Sequence, residues 1–419
     1  MQKLIIKGKR GLSGTISISG SKNATLPILA ASILANKVRL KNIPLVKDIF
    51  TMVELLNFIG LKTKILKKKN IIKIENNNKN INTLAPYKLV KTMRAGVLVL
   101  GSLLTRYGKA KVSLPGGCAI GTRPVDLHLF ALKKLGANIK IQNGYIYAES
   151  PKGLKGTTIK FPSISVGATE NALLAAVKAK GKTVLKNSAI EPEIMDLISF
   201  LKKIGANISV KGRTIFISEK RIKKTKIIHN IIFDRIELGT YMIASALMVN
   251  KRIKLDKINP KIVRAEINVL KKIGIPIIKK KNLIIIKKSK KLKNINISTS
   301  PYPGFPTDLQ AQLMVLLTQA NGVSKIKENI FENRFMHVPE LKRMGASIEI
   351  KDKTAIIKGP TKLTGAEVMA TDLRASVSLV LAGLVAENRT IINRIYHLDR
   401  GYELLENKLK NCKANIKRV

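Results

Sequence analysis

One of only two cysteines in the chain lies in a glycine-rich stretch, SLPGGCAIGTRPVDLHL, which also carries an arginine, an aspartate and a histidine. The two glycines before Cys118 give the backbone freedom to bring the thiol close to a ligand, and Arg123 follows in the same stretch. Cationic neighbours lower the pKa of a thiol and a bound anion raises it, so Cys118 is suited to act as an acid or a nucleophile. The alternative is a buried core cysteine, which is the usual state of a free thiol.

Polar residues also stand where several apolar helical segments begin. The start of a helix presents backbone N–H groups and a positive dipole, so converging starts form an anion site. Ordinary capping is the alternative reading for Thr307, Asp308, Thr371 and Asp372. Basic side chains at a helix start oppose the dipole, so Lys22 and Arg94 predict an anion nearby. The full set of polar residues at these starts is Lys22, Asn23, Arg94, Ser165, Thr169, Asp234, Arg235, Thr307, Asp308, Asp372 and Arg374.

The histidines are not spaced as metal ligands. His128, His229, His337 and His397 are far apart in the sequence, and no Cys/His cluster accompanies them. The chain also has no Walker P-loop and no Rossmann glycine fingerprint. We therefore expect neither a metal nor an organic cofactor.

A short pattern recurs six times and predicts a repeated unit of about 70 residues. Its copies read LNFIGLKTKI, LKKLGANIKI, LKKIGANISV, LKKIGIPIIK, LKRMGASIEI and LKNCKANIKR. Each is typical of the last turn of a helix, a left-handed glycine cap and a strand with alternating apolar residues. The copies begin at Leu56, Leu132, Leu201, Leu270, Leu341 and Leu409.

A second helical segment precedes each copy and is apolar nearly all round, as in NATLPILAASILA and ATENALLAAVKA. Such helices are expected inside a domain, with sheets outside them. Between the two helices a short strand fits, as in KTVLKNSAI. Since 419 residues are too many for one ordinary core, the sequence predicts an α/β fold of two domains, each with three βαβαββ-type repeats, buried helices and outer sheets.

The repeat separates the two cysteines. Cys412 occupies the column that holds an apolar residue in every other copy, so we expect it to be a core residue. Cys118 falls in no such column and lies in a loop that lengthens its repeat. The column contains Ile59, Leu135, Ile204, Ile273, Met344 and Cys412.

The charge balance is strongly basic, with 77 Lys and Arg against 26 Asp and Glu and a net charge of +51. Nucleic-acid binding is one reading of this excess. The basic tracts, such as KILKKKNIIKI, are rich in Ile and Asn and poor in the aromatic residues that stack on bases. We therefore attribute the excess to compositional drift on solvated faces and expect no nucleic-acid partner, although a cationic surface still attracts an anionic substrate.

Cysteine usage and hydropathy favour the cytoplasm. Two cysteines so far apart do not form a disulfide framework, which points to a reducing compartment. The longest uncharged apolar run, ASVSLVLAGLVA at 375–386, is shorter than the roughly 20 residues that cross a bilayer. We expect a cytoplasmic protein with no membrane span and no signal peptide.

The chain resembles the enolpyruvyl transferases along essentially its whole length. The resemblance implies two inside-out α/β domains, one over 22–232 carrying the Cys118 loop and the other over 1–21 plus 233–419, with the active site in the cleft between them. The stretches that carry it are SGSKNATLPILAA, KTMRAGVLVLGSLL, SLPGGCAIGTRPVDLHL, SVGATENALLAA, EPEIMDL, DRIELGT, FPTDLQAQ, IFENRFMHVPELKRMGA, MATDLRASVSLVLAGLVAE and RIYHLDRGYE.

The activity implied by the resemblance is transfer of the enolpyruvyl group of phosphoenolpyruvate to the 3′-hydroxyl of UDP-N-acetylglucosamine, with release of phosphate, in peptidoglycan synthesis. The resemblance makes Cys118 the acid that protonates the methylene carbon and the site of a covalent phospholactoyl adduct. It makes Asp308 the base for the sugar hydroxyl, assisted by Asp372. Lys22 and Arg400 complete the catalytic set, and the residues implied to hold phosphoenolpyruvate are Lys22, Asn23, Arg123, Arg374 and Arg400.

The resemblance also implies contacts to the UDP-sugar. One departure from the family pattern is Ser163, which stands where a lysine is common, so that a phosphate or uracil contact is weaker or comes from a neighbour such as Lys160. The implied contact residues are Arg94, Arg123, Pro124, Val125, Asp126, Leu127, Ser163, Ile164, Ser165, Val166, Asp308 and Ile330.

Two alternatives remain beside this reading. The branch of the family that acts on shikimate 3-phosphate shares fold and donor but lacks the cysteine loop. A basic nucleic-acid-binding protein on a decayed enzyme scaffold is disfavoured because the polar helix starts are intact. We expect a monomer whose partners are the two small-molecule substrates.

Overall fold

The computed structural model describes residues 2–77, 81–116, 125–219 and 226–419. The strands of these residues form six four-stranded sheets. Within these ranges the strands β1 to β24 are Leu4–Lys7, Leu12–Ser17, Lys37–Lys41, Lys62–Leu66, Ile71–Glu75, Leu84–Ala85, Lys109–Ser113, Asn138–Gln142, Tyr145–Glu149, Thr158–Lys160, Lys182–Lys186, Asn207–Lys211, Thr214–Ser218, Lys226–Asn230, Val249–Asp256, Ile277–Lys280, Leu283–Lys287, Asn296–Ser298, Gly322–Lys327, Ser347–Lys351, Thr354–Gly359, Glu367–Met369, Arg389–Asn393 and Asn415–Arg418.

Thirteen α-helices lie between the strands of the described residues, and 3₁₀ turns lead directly into two of them, Val99–Tyr107 and Gln310–Leu317. The α-helices α1 to α13 of the described residues are Lys22–Ala31, Lys47–Ile59, Tyr87–Val90, Val99–Tyr107, Asp126–Lys134, Val166–Ala176, Pro192–Lys203, Arg235–Met248, Arg264–Ile273, Gln310–Leu317, Val338–Arg343, Leu373–Val385 and Leu405–Asn411. The 3₁₀ turns are Ser32–Leu34, Lys67–Lys69, Arg94–Leu98, Thr307–Leu309 and Ile395–Arg400.

The six sheets share one strand pattern. In each, an edge strand runs parallel to its neighbour and the remaining two pairs are antiparallel, as in the order β10-β11-β13-β12. The sixth sheet, β22-β23-β1-β24, takes its third strand from the N-terminus, where Ile6 lies opposite Thr390 on one side and Ile416 on the other. The predicted six-unit architecture is confirmed.

The chain divides into two compact units. The described residues up to Ser19 form one unit with those from Phe233 to Val419, and the described residues between Gly20 and Ile232 form the other. Each unit has its own hydrophobic core, built almost entirely from aliphatic side chains. Such a core suits a chain in which aromatic residues make up 4%.

The first helix of each repeat is buried on nearly all sides, as its apolar sequence predicts. In α8 every residue from Arg235 to Ala246 is buried, and in α12 every residue from Arg374 to Val385. The second helices are amphipathic, as in α9, where Lys271 and Lys272 remain exposed. The predicted arrangement of buried helices and outer sheets is therefore confirmed.

The helix-to-strand junctions need a left-handed residue. Gly60, Gly205 and Gly345 have φ of 115°, 109° and 93°, which glycine adopts without steric cost. In the sixth repeat Lys413 takes this position at φ 72°. The cap that the recurring pattern predicts is thus kept in geometry even where the glycine is lost.

Candidate active site

Asp308 lies in the 3₁₀ turn Thr307–Leu309 that leads into α10, and two arginines hold its carboxylate. Its Oδ1 accepts a hydrogen bond from Arg334 Nη2 at 2.5 Å, and its Oδ2 accepts one from Arg374 Nη2 at 2.8 Å. The arginine side chains are 5% and 9% exposed, whereas that of Asp308 is 28% exposed. Two buried arginines therefore orient a carboxylate that is itself partly exposed.

Arg334 is a site residue that alignment of the helix starts did not find. It lies three residues before His337, in a connection ahead of α11 and not at the start of a buried helix. The available signal was its place in the quoted stretch IFENRFMHVPELKRMGA. Burial lowers the pKa of Arg374, but Asp308, together with smaller contributions from Tyr402 and Asp234, outweighs burial and holds that pKa above its ordinary value.

Asp372 caps the start of α12, as the capping alternative predicts. Its Oδ1 accepts hydrogen bonds from the backbone N–H groups of Arg374 at 2.7 Å and Ala375 at 3.1 Å. The cap places Arg374 at the first turn of the helix, in reach of Asp308. The role of Asp372 as an assisting base stays a prediction.

Glu328 organises the segment that contains Ile330. Its Oε1 accepts from the backbone N–H groups of Ile330 at 2.8 Å and Phe331 at 3.2 Å, and its Oε2 accepts from the Thr307 hydroxyl at 3.0 Å. Glu328 is buried, so these bonds are shielded from water. They tie the turn beside Asp308 to the segment around Ile330, a link that sequence reasoning missed.

Arg400 is the last residue of the 3₁₀ turn Ile395–Arg400 and is partly buried. Its neighbour Asp399 is held by Arg418, with Arg418 Nη2 donating at 2.7 Å and Nη1 at 3.0 Å. This ion pair anchors the end of the turn that contains Arg400.

In the other unit, Lys22 is the first residue of α1, behind the cap formed by Ser21, whose hydroxyl accepts from Ala24 N at 3.2 Å. Lys22 Nζ lies 3.3 Å from Asp48 Oδ2, and both side chains are largely buried. A carboxylate of the chain therefore supplies one of the anions that the basic helix start predicts. Asn23 follows and is partly buried.

Arg94 begins the 3₁₀ turn that leads into α4, close enough to His128 on α5 to affect its titration. The His128 ring packs against the first turn of α6, where a Cβ on Gly167 would approach its Cε1 to 3.0 Å. His128 Nδ1 accepts from Asn171 Nδ2 at 3.1 Å, and Asn171 Oδ1 accepts from Gly101 N at 2.8 Å. His128 and Asn171 thus join three of the segments from which the implied UDP-sugar contacts arise, namely the turn of Arg94, α5 and α6.

Burial, with a smaller contribution from Arg94, lowers the pKa of His128 to about 3. The unfolded chain binds a proton here below about pH 6.5, whereas the folded chain does not until much lower pH, so stability falls as the solution is acidified. We expect the unfolding free energy of the unmodified protein to drop by about 2 kcal/mol more than that of His128→Gln between pH 8 and pH 5. Urea titrations at the two pH values measure this, and equal drops would contradict it.

The remaining implied contacts to the UDP-sugar lie at two helix starts. At the start of α5, Val125 is buried, Asp126 is exposed and Leu127 is partly buried. Ser165 caps α6, accepting from Ala168 N at 3.3 Å, and Ser163 is exposed two residues before it. Ile164 is partly buried and Val166 exposed.

Three implied site residues, Cys118, Arg123 and Pro124, lie outside the described residues. Cys412 is described and is fully buried, with Sγ facing the Thr15 carbonyl oxygen at 3.8 Å, so its predicted core position is confirmed. Among the described residues no group of three or more His, Cys, Asp or Glu side chains could hold a metal ion. None of their helices is long and apolar enough to cross a membrane.

The sequence is similar to known carboxyvinyltransferases over its full length. The family model described as EPSP synthase (3-phosphoshikimate 1-carboxyvinyltransferase) matches residues 6–409. The UDP-N-acetylglucosamine 1-carboxyvinyltransferase of Pelagibacter ubique is 59% identical over 420 residues, and that of Rickettsia prowazekii is 52% identical over 422 residues. Each alignment covers 100% of both chains.

Solved structures share the fold. The enolpyruvyl transferase NikO from Streptomyces tendae aligns with a TM-score of 0.90 at 24% identity, covering 100% of this chain and 99% of its own. The EPSP synthase from Acinetobacter baumannii aligns with a TM-score of 0.78 at 18% identity, covering 100% of both chains. At these identities the likeness bears on the fold alone.

Proposed function

Because the chain belongs to the EPSP synthase family of carboxyvinyltransferases, we infer that it is a UDP-N-acetylglucosamine 1-carboxyvinyltransferase. It transfers the enolpyruvyl group of phosphoenolpyruvate to the 3′-hydroxyl of UDP-N-acetylglucosamine, releases phosphate, and serves the first committed step of peptidoglycan synthesis in building the cell wall. The assignment depends on sequence identities of 59%, 51% and 52%, over the full length of both chains, with three enzymes of that name.

The proposed reaction is an addition followed by an elimination. Cys118 gives a proton to the methylene carbon of phosphoenolpyruvate, the sugar oxygen bonds to C2, and Asp308 takes the hydroxyl proton. The methyl group then returns a proton to Cys118 as the C2–O bond to phosphate breaks, and the proton on Asp308 leaves with phosphate. The products are the enolpyruvyl ether and inorganic phosphate, and both residues end as they began.

The hydrogen bonds at Asp308 suit a general base whose carboxylate must keep a fixed orientation towards the acceptor hydroxyl. An arginine N–H donates to each of its two oxygens, which fixes the orientation of the carboxylate. Positive charge that develops at C2 is offset by the carboxylates nearby, while arginine and lysine balance the donor's phosphate.

The donor-binding role is assigned to Lys22, Asn23, Arg123, Arg374 and Arg400. Phosphoenolpyruvate carries a phosphate and a carboxylate, which arginine binds in a forked geometry and lysine as a point charge. Arg374 forms an ion pair with Asp308, which supports a shared role of the proposed donor-binding cation and the proposed base.

The acceptor-binding role is assigned to Arg94, residues 123–127, residues 163–166, Asp308 and Ile330. The capped start of α6 offers backbone N–H groups to a diphosphate. Since Ser163 brings no cation there, Lys160 at the end of β10, which is exposed, is our candidate for the missing charge. We further propose that the enzyme works in the cytoplasm as a monomer.

The assay that tests the function measures inorganic phosphate from purified protein supplied with phosphoenolpyruvate and an acceptor. We expect steady release with UDP-N-acetylglucosamine and none with phosphoenolpyruvate alone. Shikimate 3-phosphate serves as the matched alternative acceptor. Turnover with shikimate 3-phosphate but not with the UDP-sugar would overturn the proposal.

A further inference from the structure

A buried polar network lies behind Asp308 and joins the three buried helices of its unit. Its members are Thr240 on α8, Gln312 on α10 and Tyr402, which follows the 3₁₀ turn of Arg400. All three side chains are buried. Polar groups at such positions are retained when their hydrogen bonds fix a geometry, because an unsatisfied one is costly.

The direction of the central hydrogen bond follows from counting protons. The Thr240 hydroxyl donates its one proton to the Ile236 carbonyl oxygen at 2.9 Å. With that proton on Ile236, the contact of 2.8 Å between Thr240 Oγ1 and the Tyr402 hydroxyl oxygen has Tyr402 as the donor. Burial raises the pKa of Tyr402, so the phenol keeps this proton.

With its proton used on Thr240, the Tyr402 oxygen is free to accept. Arg374 Nη1 donates to it at 3.2 Å, while Nη2 of the same guanidinium donates to Asp308 Oδ2 at 2.8 Å. The planar guanidinium is thereby held at two points, one on each terminal nitrogen. Its orientation at Asp308 depends on the tyrosine behind it.

Gln312 on α10 contacts the same network of Thr240 and Tyr402 and also the backbone of Asp308. Its Nε2 donates to the Asp308 backbone carbonyl oxygen at 3.0 Å and lies 3.1 Å from Thr240 Oγ1 and 3.3 Å from the Tyr402 oxygen. The network thus reaches Asp308 twice, through the Arg374 side chain and through the backbone of Asp308.

We propose that Tyr402 is a positioning residue for catalysis, which fixes the Arg374 guanidinium so that the Asp308 carboxylate is aimed at the acceptor hydroxyl. Tyr402 itself touches neither substrate. The inference rests on the proposed function, in which Asp308 is the base. Removing the phenol oxygen leaves Nη1 without its acceptor and lets the guanidinium pivot.

The test is the kinetics of Tyr402→Phe, which keeps the ring and removes only the hydroxyl. We expect kcat to fall about 10- to 100-fold, the range for small misplacements of reacting groups, with the KM for UDP-N-acetylglucosamine unchanged. The matched control is Tyr241→Phe, because Tyr241 is equally buried on the same helix as Thr240 and its hydroxyl has no hydrogen-bond partner among the described residues. We expect that control to keep full kcat.

A double-mutant cycle separates positioning from general damage. If Tyr402 acts through Asp308, adding Tyr402→Phe to Asp308→Asn reduces the residual kcat much less than it reduces that of the unmodified enzyme. Equal reductions in both backgrounds, or full kcat in the single Tyr402→Phe variant, would overturn the inference. An unmodified enzyme that fails to turn over the UDP-sugar would instead refute the proposed function.

Discussion

Replacement of Cys118 by serine is expected to reduce turnover by a factor of about 10² to 10⁴, the contribution of a well-placed acid. A serine hydroxyl is a far weaker acid than a thiol, so the methylene carbon loses its proton donor while the side chain keeps nearly the same size. Phosphate release under saturating substrates measures the loss. An epoxide inhibitor of the fosfomycin type should label Cys118 alone, which peptide mass mapping checks.

Cys412→Ser is the matched control for this result. Cys412 is fully buried in an aliphatic core, and burial raises the pKa of its thiol, so it is inert. The serine hydroxyl costs some stability in that core but leaves turnover near that of the unmodified protein. A larger loss in Cys412→Ser than in Cys118→Ser would contradict both the repeat argument and the assigned role.

Asp308→Asn is expected to lower kcat by a similar factor, about 10² to 10⁴, because the amide cannot accept the hydroxyl proton. The amide also removes the negative charge from between Arg334 and Arg374, whose buried guanidiniums then lack their shared partner. We therefore expect a lower melting temperature as well. Stopped phosphate-release assays and thermal denaturation on one preparation measure the two effects.

Glu349→Gln provides the control for loss of a carboxylate. Glu349 lies on β20 in an exposed pair with Lys351, which contributes little to stability. Kinetics and melting temperature should both match the unmodified protein. If Asp308→Asn behaves like Glu349→Gln, Asp308 is not the base.

The architecture was predictable because it repeats. A single copy such as LKKIGANISV is weak evidence, but six copies in register identify the cap, the following strand and the buried column that contains Cys412. The apolar helices were equally informative, since a helix without a polar face has to be buried. Lys413 at φ 72° shows that the register survives loss of a glycine.

The candidate site was only partly predictable. Helix starts identified Asp308 and Arg374, and the structure joins them in an ion pair. Arg334, Glu328 and Tyr402 were missed, since they lie in connections whose course depends on tertiary packing. The periodic pattern of apolar residues predicts helices and strands, but it does not predict where the side chains of such connections lie.

The position of β1 has a consequence for how the chain is made on the ribosome. Its two hydrogen-bonded neighbours, β23 and β24, lie far along the chain at Arg389–Asn393 and Asn415–Arg418 and are translated long after it. The unit between Gly20 and Ile232 can complete its sheets while synthesis continues, because domains fold as their residues emerge. β1 therefore waits with both of its backbone edges unpaired until β23 and β24 have been made, and during that time it is exposed to pairing with other chains.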